Sequence, residues 1–156
     1  MNKKIDILVT GSNGFIGKEL KKHLKKYEKF TIWELVRGRK KKTEKNVIYI
    51  KSLKKNFDII NNLKSIDCIV HLAAIAHDEN ISKKDIFEVN TDSVERLAIQ
   101  AIKAGVKRFI FLSSIKVYGE FSGQNKFDEK SNTSPQTHYA KAKLSAENKL
   151  IQLSKN

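Results

Sequence analysis

Short apolar runs alternate along this chain with segments whose apolar residues recur every three or four positions, so the pattern predicts strands and helices in turn. Lys4 to Thr10 is a short apolar run that ends at Gly11 and reads as a buried strand. Phe15, Ile16, Leu20 and Leu24 follow at helical spacing, with lysines on the other face. Phe30 to Val36 reads as a second strand, Arg37 to Asn46 as a charged loop, Val47 to Ile50 as a third strand and Phe57 to Leu63 as a short helix. Asp67 to Leu72 is the fourth strand. Ile86 to Ala104 is one long helix, or two helices meeting near Asn90, and Gly105 supplies the stop. Arg108 to Leu112 is the fifth strand, Ser122 to Pro135 a polar loop and Thr137 to Leu153 the last helix. The fold class this predicts is α/β, a doubly wound parallel sheet with helices on both faces.

Composition narrows the function. The chain has 156 residues, room for one domain with a real core, and 40% of them are hydrophobic, enough to fold. Thirty-one Lys and Arg against 17 Asp and Glu give a net charge of +14, which invites a nucleic-acid reading. That reading is disfavoured: 27 of the 31 are lysines spread over the whole chain. The densest cluster, Arg37 to Lys45, has no aromatic residue for base stacking. A single cysteine, Cys68, excludes an internal disulfide and a multi-cysteine zinc site. It is expected to be a buried core thiol, and Trp33 to serve core or edge packing. No apolar run reaches the roughly 18–20 residues of a membrane span. The basic N-terminus is broken by Asp6 and is not a signal peptide. A soluble cytoplasmic protein is expected.

The turn Gly11-Ser12-Asn13-Gly14-Phe15-Ile16-Gly17 joins the first strand to the first helix. Gly11 suits a tight turn, Gly14 lets a diphosphate approach the backbone, and Gly17 lets the helix pack closely on the strand. The helix N-terminus offers free N–H groups and a partial positive charge to phosphates. This placement predicts a dinucleotide site. Later in the chain, Tyr139 and Lys143 are four apart on a predicted helix and share a face. A free phenol ionises near pH 10, and a cation one turn away favours the phenolate. A hydroxyl such as that of Ser114 can hydrogen-bond a reacting oxygen.

The glycine spacing, with Phe15-Ile16 inside it, resembles the extended short-chain dehydrogenase/reductase family. Four further segments agree in order: His71-Leu72-Ala73-Ala74, Asn90-Thr91, Phe111 to Gly119, and Tyr139-Ala140-Lys141-Ala142-Lys143. The run Ala104 to Phe109, and His77 after the alanine pair, look most like the family's nucleotide-sugar epimerases, dehydratases and 4-keto reductases. The resemblance implies a Rossmann-type domain over residues 1–156 that binds NAD or NADP. It assigns the substrate-oxygen contact to Ser114, four residues before Tyr118. It gives acid/base chemistry to Tyr139, and the ribose contact and phenol tuning to Lys143. Gly11, Asn13, Gly14, Phe15, Ile16, Gly17, Arg37, Leu72, Ala73, Ala74 and Asn90 join Tyr139 and Lys143 on the cofactor. The implied substrate is a nucleotide sugar of the UDP type. A homodimer, or a complementing C-terminal polypeptide, is the further partner expected.

Two departures shape these expectations. An acidic residue usually ends the second strand to bond the cofactor's ribose; here the stretch is Glu34-Leu35-Val36-Arg37-Gly38-Arg39. Glu34 comes too early, and Arg37 with Arg39 leans the choice toward NADP. After the third strand, Ser52 stands where the family commonly has an Asp near adenine. Family members also continue past the Tyr-Lys helix into a substrate-binding region. The expectation is therefore an N-terminal portion with its catalytic residues and little turnover on its own. The rivals are an inactive remnant that at most binds a dinucleotide, and a basic nucleic-acid-binding Rossmann domain.

Overall fold

The computed structural model describes residues 3–38, 45–54, 56–76, 80–124 and 126–155. The elements run β1 (Ile5–Thr10), α1 (Phe15–Leu24), β2 (Phe30–Arg37), β3 (Val47–Ile50), α2 (Ile60–Leu63) and β4 (Cys68–His71). There follow α3 (Lys83–Phe87), a π turn (Glu88–Asp92), α4 (Ser93–Ala104), β5 (Arg108–Phe111), a 3-10 turn (Ile115–Val117) and α5 (His138–Leu153). The chain divides into two compact units: Met1–Ala74 with Arg96–Leu112, and Ile75–Glu95 with Ser113–Asn156.

The first unit holds the whole sheet. Its strands are all parallel in the order β3-β2-β1-β4-β5. This is a Rossmann-type sheet, and its order reverses between β1 and β4, where such folds bind ligands beyond the strands' C-terminal ends. Side chains alternate between faces. Leu8, Leu35, Ile48, Ile50 and Ile69 bury one face against Leu63 of α2 and Leu97 and Ala101 of α4, with Trp33 packed alongside. Glu34, next to Leu35, points to the opposite face, where Lys21 of α1 meets it. Helices thus cover both faces, as the alternation predicts.

Two local outcomes differ from the pattern. The short helix starts at Ile60, not Phe57, because the Gln100 side-chain amide binds the preceding backbone as a strand would. It accepts from Ile59 N and donates to Phe57 O, both at 2.8 Å. Cys68 is half-buried rather than a core thiol, with burial raising its pKa. The sheet ends on β5, whose Ile110 is 46% exposed.

The second unit is helical. The predicted break near Asn90 is the π turn. Val89, Asn90 and Thr91 are three successive buried residues, more than one stripe of an α-helix covers in sequence. The wider turn accommodates them, and the Ser93 hydroxyl donates to the Val89 carbonyl at 2.6 Å. The turn and α3 pack on α5, and so does the 3-10 turn. Among the described residues no helix is long and apolar enough to cross a membrane.

Candidate functional site

In the first unit, β1 delivers the chain into the glycine turn at the sheet's reversal point. Gly11 has φ +67°, and a Cβ there would lie 2.7 Å from the Ala73 backbone nitrogen. The residue must be glycine on both counts. A Cβ at Gly17 would lie 2.3 Å from the Gly11 carbonyl oxygen and 2.8 Å from Ser12 Cα. Gly17 therefore seats the helix on the turn itself rather than on the strand. Gly14 differs. A Cβ there would meet only Gly11 O, at 3.3 Å, and otherwise open space. No side chain caps α1 at Gly14, and its first turn carries no acid, so its N–H groups and dipole face outward. Asn13 to Ile16 are exposed, Phe15 at 88%. An open cradle with amide donors and no acid in the first helical turn fits the diphosphate of a dinucleotide.

The partners of this turn were not all legible in advance. Thr10 is buried; its hydroxyl accepts from Ala73 N–H at 3.1 Å and lies 3.0 Å from His71 Nδ1. It ties the ends of β1 and β4 together and fixes Leu72 to Ala74 beside the turn. A polar residue closing an apolar strand was the available signal. Glu34 is held by Lys21 at 2.7 Å. Burial works to raise its pKa, but the hydrogen bond from Lys21 and the charges of Lys21 and Lys25 outweigh it, leaving the carboxyl below its ordinary value. Glu34 thus serves α1. The strand runs three residues further, to exposed Arg37. Ser52 accepts from Lys54 N–H. Arg39 and His77 lie outside the described residues.

In the second unit, Thr137 caps α5 by accepting from Ala140 N–H at 3.1 Å. The helix carries half-buried Tyr139 and, one turn on, Lys143. Lys143 is only 3% exposed. Burial lowers its pKa from 10.5 to about 8, opposed by the charge of Glu147. Ser114 heads the 3-10 turn, where its hydroxyl accepts from Lys116 N–H at 3.3 Å and keeps its own proton to donate elsewhere. The structure thus places Ser114, Tyr139 and Lys143 in one compact unit, on two elements in contact. Asn90 is committed to the backbone: its amide accepts from Ile75 N and donates to Ile75 O, both at 2.8 Å. It acts as a support for the segment after the alanine pair.

A sequence model of the NAD dependent epimerase/dehydratase family matches residues 7–156. The UDP-glucose 4-epimerase of Vibrio cholerae is 37% identical over 155 residues, which cover 96% of this chain and 47% of that protein. The UDP-glucuronic acid 4-epimerase from Bacillus cereus, solved in complex with NAD, superposes with a TM-score of 0.81 at 26% identity, over 97% of this chain and 53% of that one. A short-chain dehydrogenase/reductase superfamily protein from Agrobacterium tumefaciens, with bound NAD, gives a TM-score of 0.76 at 27% identity, over 93% and 44%. The chain spans about half the length of the relatives it matches. It belongs to the NAD dependent epimerase/dehydratase family.

Proposed function

We propose that this chain carries the dinucleotide-binding and proton-transfer residues of an NAD(P)-dependent enzyme acting on a nucleotide sugar of the UDP type. The observation that carries the reading is Lys143. A buried ammonium with a pKa near 8 is costly to a helix that packing alone would fill with an apolar residue. The relatives' names, UDP-glucose 4-epimerase and UDP-glucuronic acid 4-epimerase, support the substrate class.

A bound nicotinamide would supply hydride exchange with a sugar carbon. The rest falls to the chain. The Gly14 backbone and the amides opening α1 hold the diphosphate. The Tyr139 phenol moves a proton at the sugar hydroxyl, and the free Ser114 proton bonds the same oxygen. Lys143 sets a positive charge on the phenol's helix face, with its own pKa close to working pH. The proposal covers epimerisation, dehydration and 4-keto reduction alike.

For the cofactor, Arg37 at the end of β2 supports a 2′-phosphate, hence NADP, while the solved relatives above carry NAD. A paired titration decides. NADP binding at least as tightly as NAD, with the advantage lost in Arg37→Ala, is expected; clearly tighter NAD binding contradicts it. The substrate class is tested by nicotinamide absorbance and sugar-product analysis across several UDP- and dTDP-sugars. Any turnover of UDP-sugars is expected to be abolished by Tyr139→Phe. Turnover indifferent to Tyr139→Phe contradicts the assigned role.

A further inference from the structure

The contact between the π turn and α5 carries an inference about how Lys143 is held. The Thr91 hydroxyl, buried in the π turn, donates to the Ala142 carbonyl at 2.8 Å. Ala142 immediately precedes Lys143. A mid-helix carbonyl already accepts from the amide four residues on, so Thr91 occupies its second lone pair. The approach is close because Ala140, Ala142 and Ala146 present only methyl groups, all fully buried. Seven residues beyond Ala142, Lys149 pairs with Asp92 at 3.3 Å and with Glu95. Two pins about two turns apart fix the rotation of α5 about its axis. Lys143 sits beside the first.

We propose that Thr91 is a positioning residue for Lys143: its bond to the Ala142 carbonyl sets the rotation of α5 that keeps the lysine side chain buried. The proposal rests on the reading of Lys143 as a functional amine. Of the charged groups around it, Glu147 on the same helix favours the ammonium. Asp92 and Glu95 are engaged by Lys149, and Lys116 of the 3-10 turn by Glu120. Glu88 of the π turn and Lys83, Lys84 and Asp85 of α3 complete the set on the packed elements.

The test is lysine side-chain NMR titration of the 156-residue chain, with Lys143→Arg to assign the signal, alongside calorimetric dinucleotide titration. Thr91→Val is expected to raise the Lys143 midpoint from about 8 by roughly half a unit to one unit, as water reaches the amine. It should weaken dinucleotide binding about three- to tenfold. Thr91→Ser, which keeps the hydroxyl, should restore both; a purely structural loss would move the melting point without moving the midpoint. If Thr91→Val does not fold, the triple variant Asp92→Asn, Glu95→Gln, Lys149→Met releases the second pin without leaving a carboxylate unpaired and should shift the midpoint in the same direction. An unchanged midpoint in whichever of these variants folds overturns the proposal and leaves the reading of Lys143 standing. A wild-type midpoint near 10.5 overturns both.

Discussion

On the proposed reading, the two units of this chain build function in opposite ways. The first binds by what it leaves out: glycines where side chains would collide, an uncapped helix end, a missing acid. Its functional residues are also its structural ones, since Gly11 and Gly17 let the turn close on Ala73 and Ser12. The second works by what it puts in. Lys143 is buried, and burial lowers its pKa to about 8, so its charge is expected to cost the fold stability. Binding and stability are therefore aligned in the first unit and opposed in the second.

Substitutions can break that contrast. The largest effect is expected at Gly11. Gly11→Ala adds a Cβ against the Ala73 backbone at positive φ and should cost about 2–4 kcal/mol, abolishing dinucleotide binding as well. Urea unfolding of the variant checks this, and a stability within about 0.5 kcal/mol of wild type refutes it.

Lys143→Met is next, with the opposite sign. The lysine's folded pKa is about 8 against 10.5 unfolded. Below pH 8 both states are protonated and the burial penalty is full. Between pH 8 and 10.5 the unfolded state binds more protons, so stability rises with pH. Met should therefore stabilise the chain at pH 7 by about 1–3 kcal/mol, and the gain should shrink as pH climbs through that window. The same variant should lose Tyr139-dependent turnover. Unfolding curves at several pH values check the sign.

A smaller effect belongs to Glu34. Its depressed pKa means the ion pair with Lys21 stabilises above the unfolded value near 4.5, and that contribution is lost as pH falls through the lower folded value. Glu34→Gln should cost about 0.5–1.5 kcal/mol at pH 7 and nothing in strong acid. A loss that persists at low pH would mean that shape, not charge, holds α1 there. Least in energy is Arg37→Ala, which should leave stability within about 0.5 kcal/mol of wild type and change only the preference between NADP and NAD.

The same contrast explains what the sequence made legible. The sheet, its strand boundaries within a residue or two and the glycine turn all follow from local patterns: period, punctuation and a missing Cβ. The supports around them do not. Gln100 and Asn90 each use a side-chain amide to imitate a strand partner for Phe57–Ile59 and for Ile75. Nothing local distinguishes such an amide from one facing solvent. Thr91 read as part of a family motif, but its acceptor lies 51 residues away. Glu34 was legible only as an acid in the wrong place; its partner, Lys21, lies 13 residues away on α1. In the second unit the Tyr-Lys spacing was local and readable, whereas the burial that makes Lys143 unusual comes from the π turn, α3 and the 3-10 turn closing on α5.

Whether the turn at Gly11 to Gly17 holds a nicotinamide dinucleotide is decided by calorimetric titration of the folded chain with NAD and with NADP, repeated on Gly14→Val. A Cβ at Gly14 would meet only the Gly11 carbonyl oxygen, at 3.3 Å, so valine should fill the diphosphate's place at a cost in stability of about 1–2 kcal/mol. Binding by wild type and its loss in a Gly14→Val chain that still melts cooperatively is the predicted result. No heat with either dinucleotide from a folded wild-type sample, or undiminished binding by Gly14→Val, would contradict it.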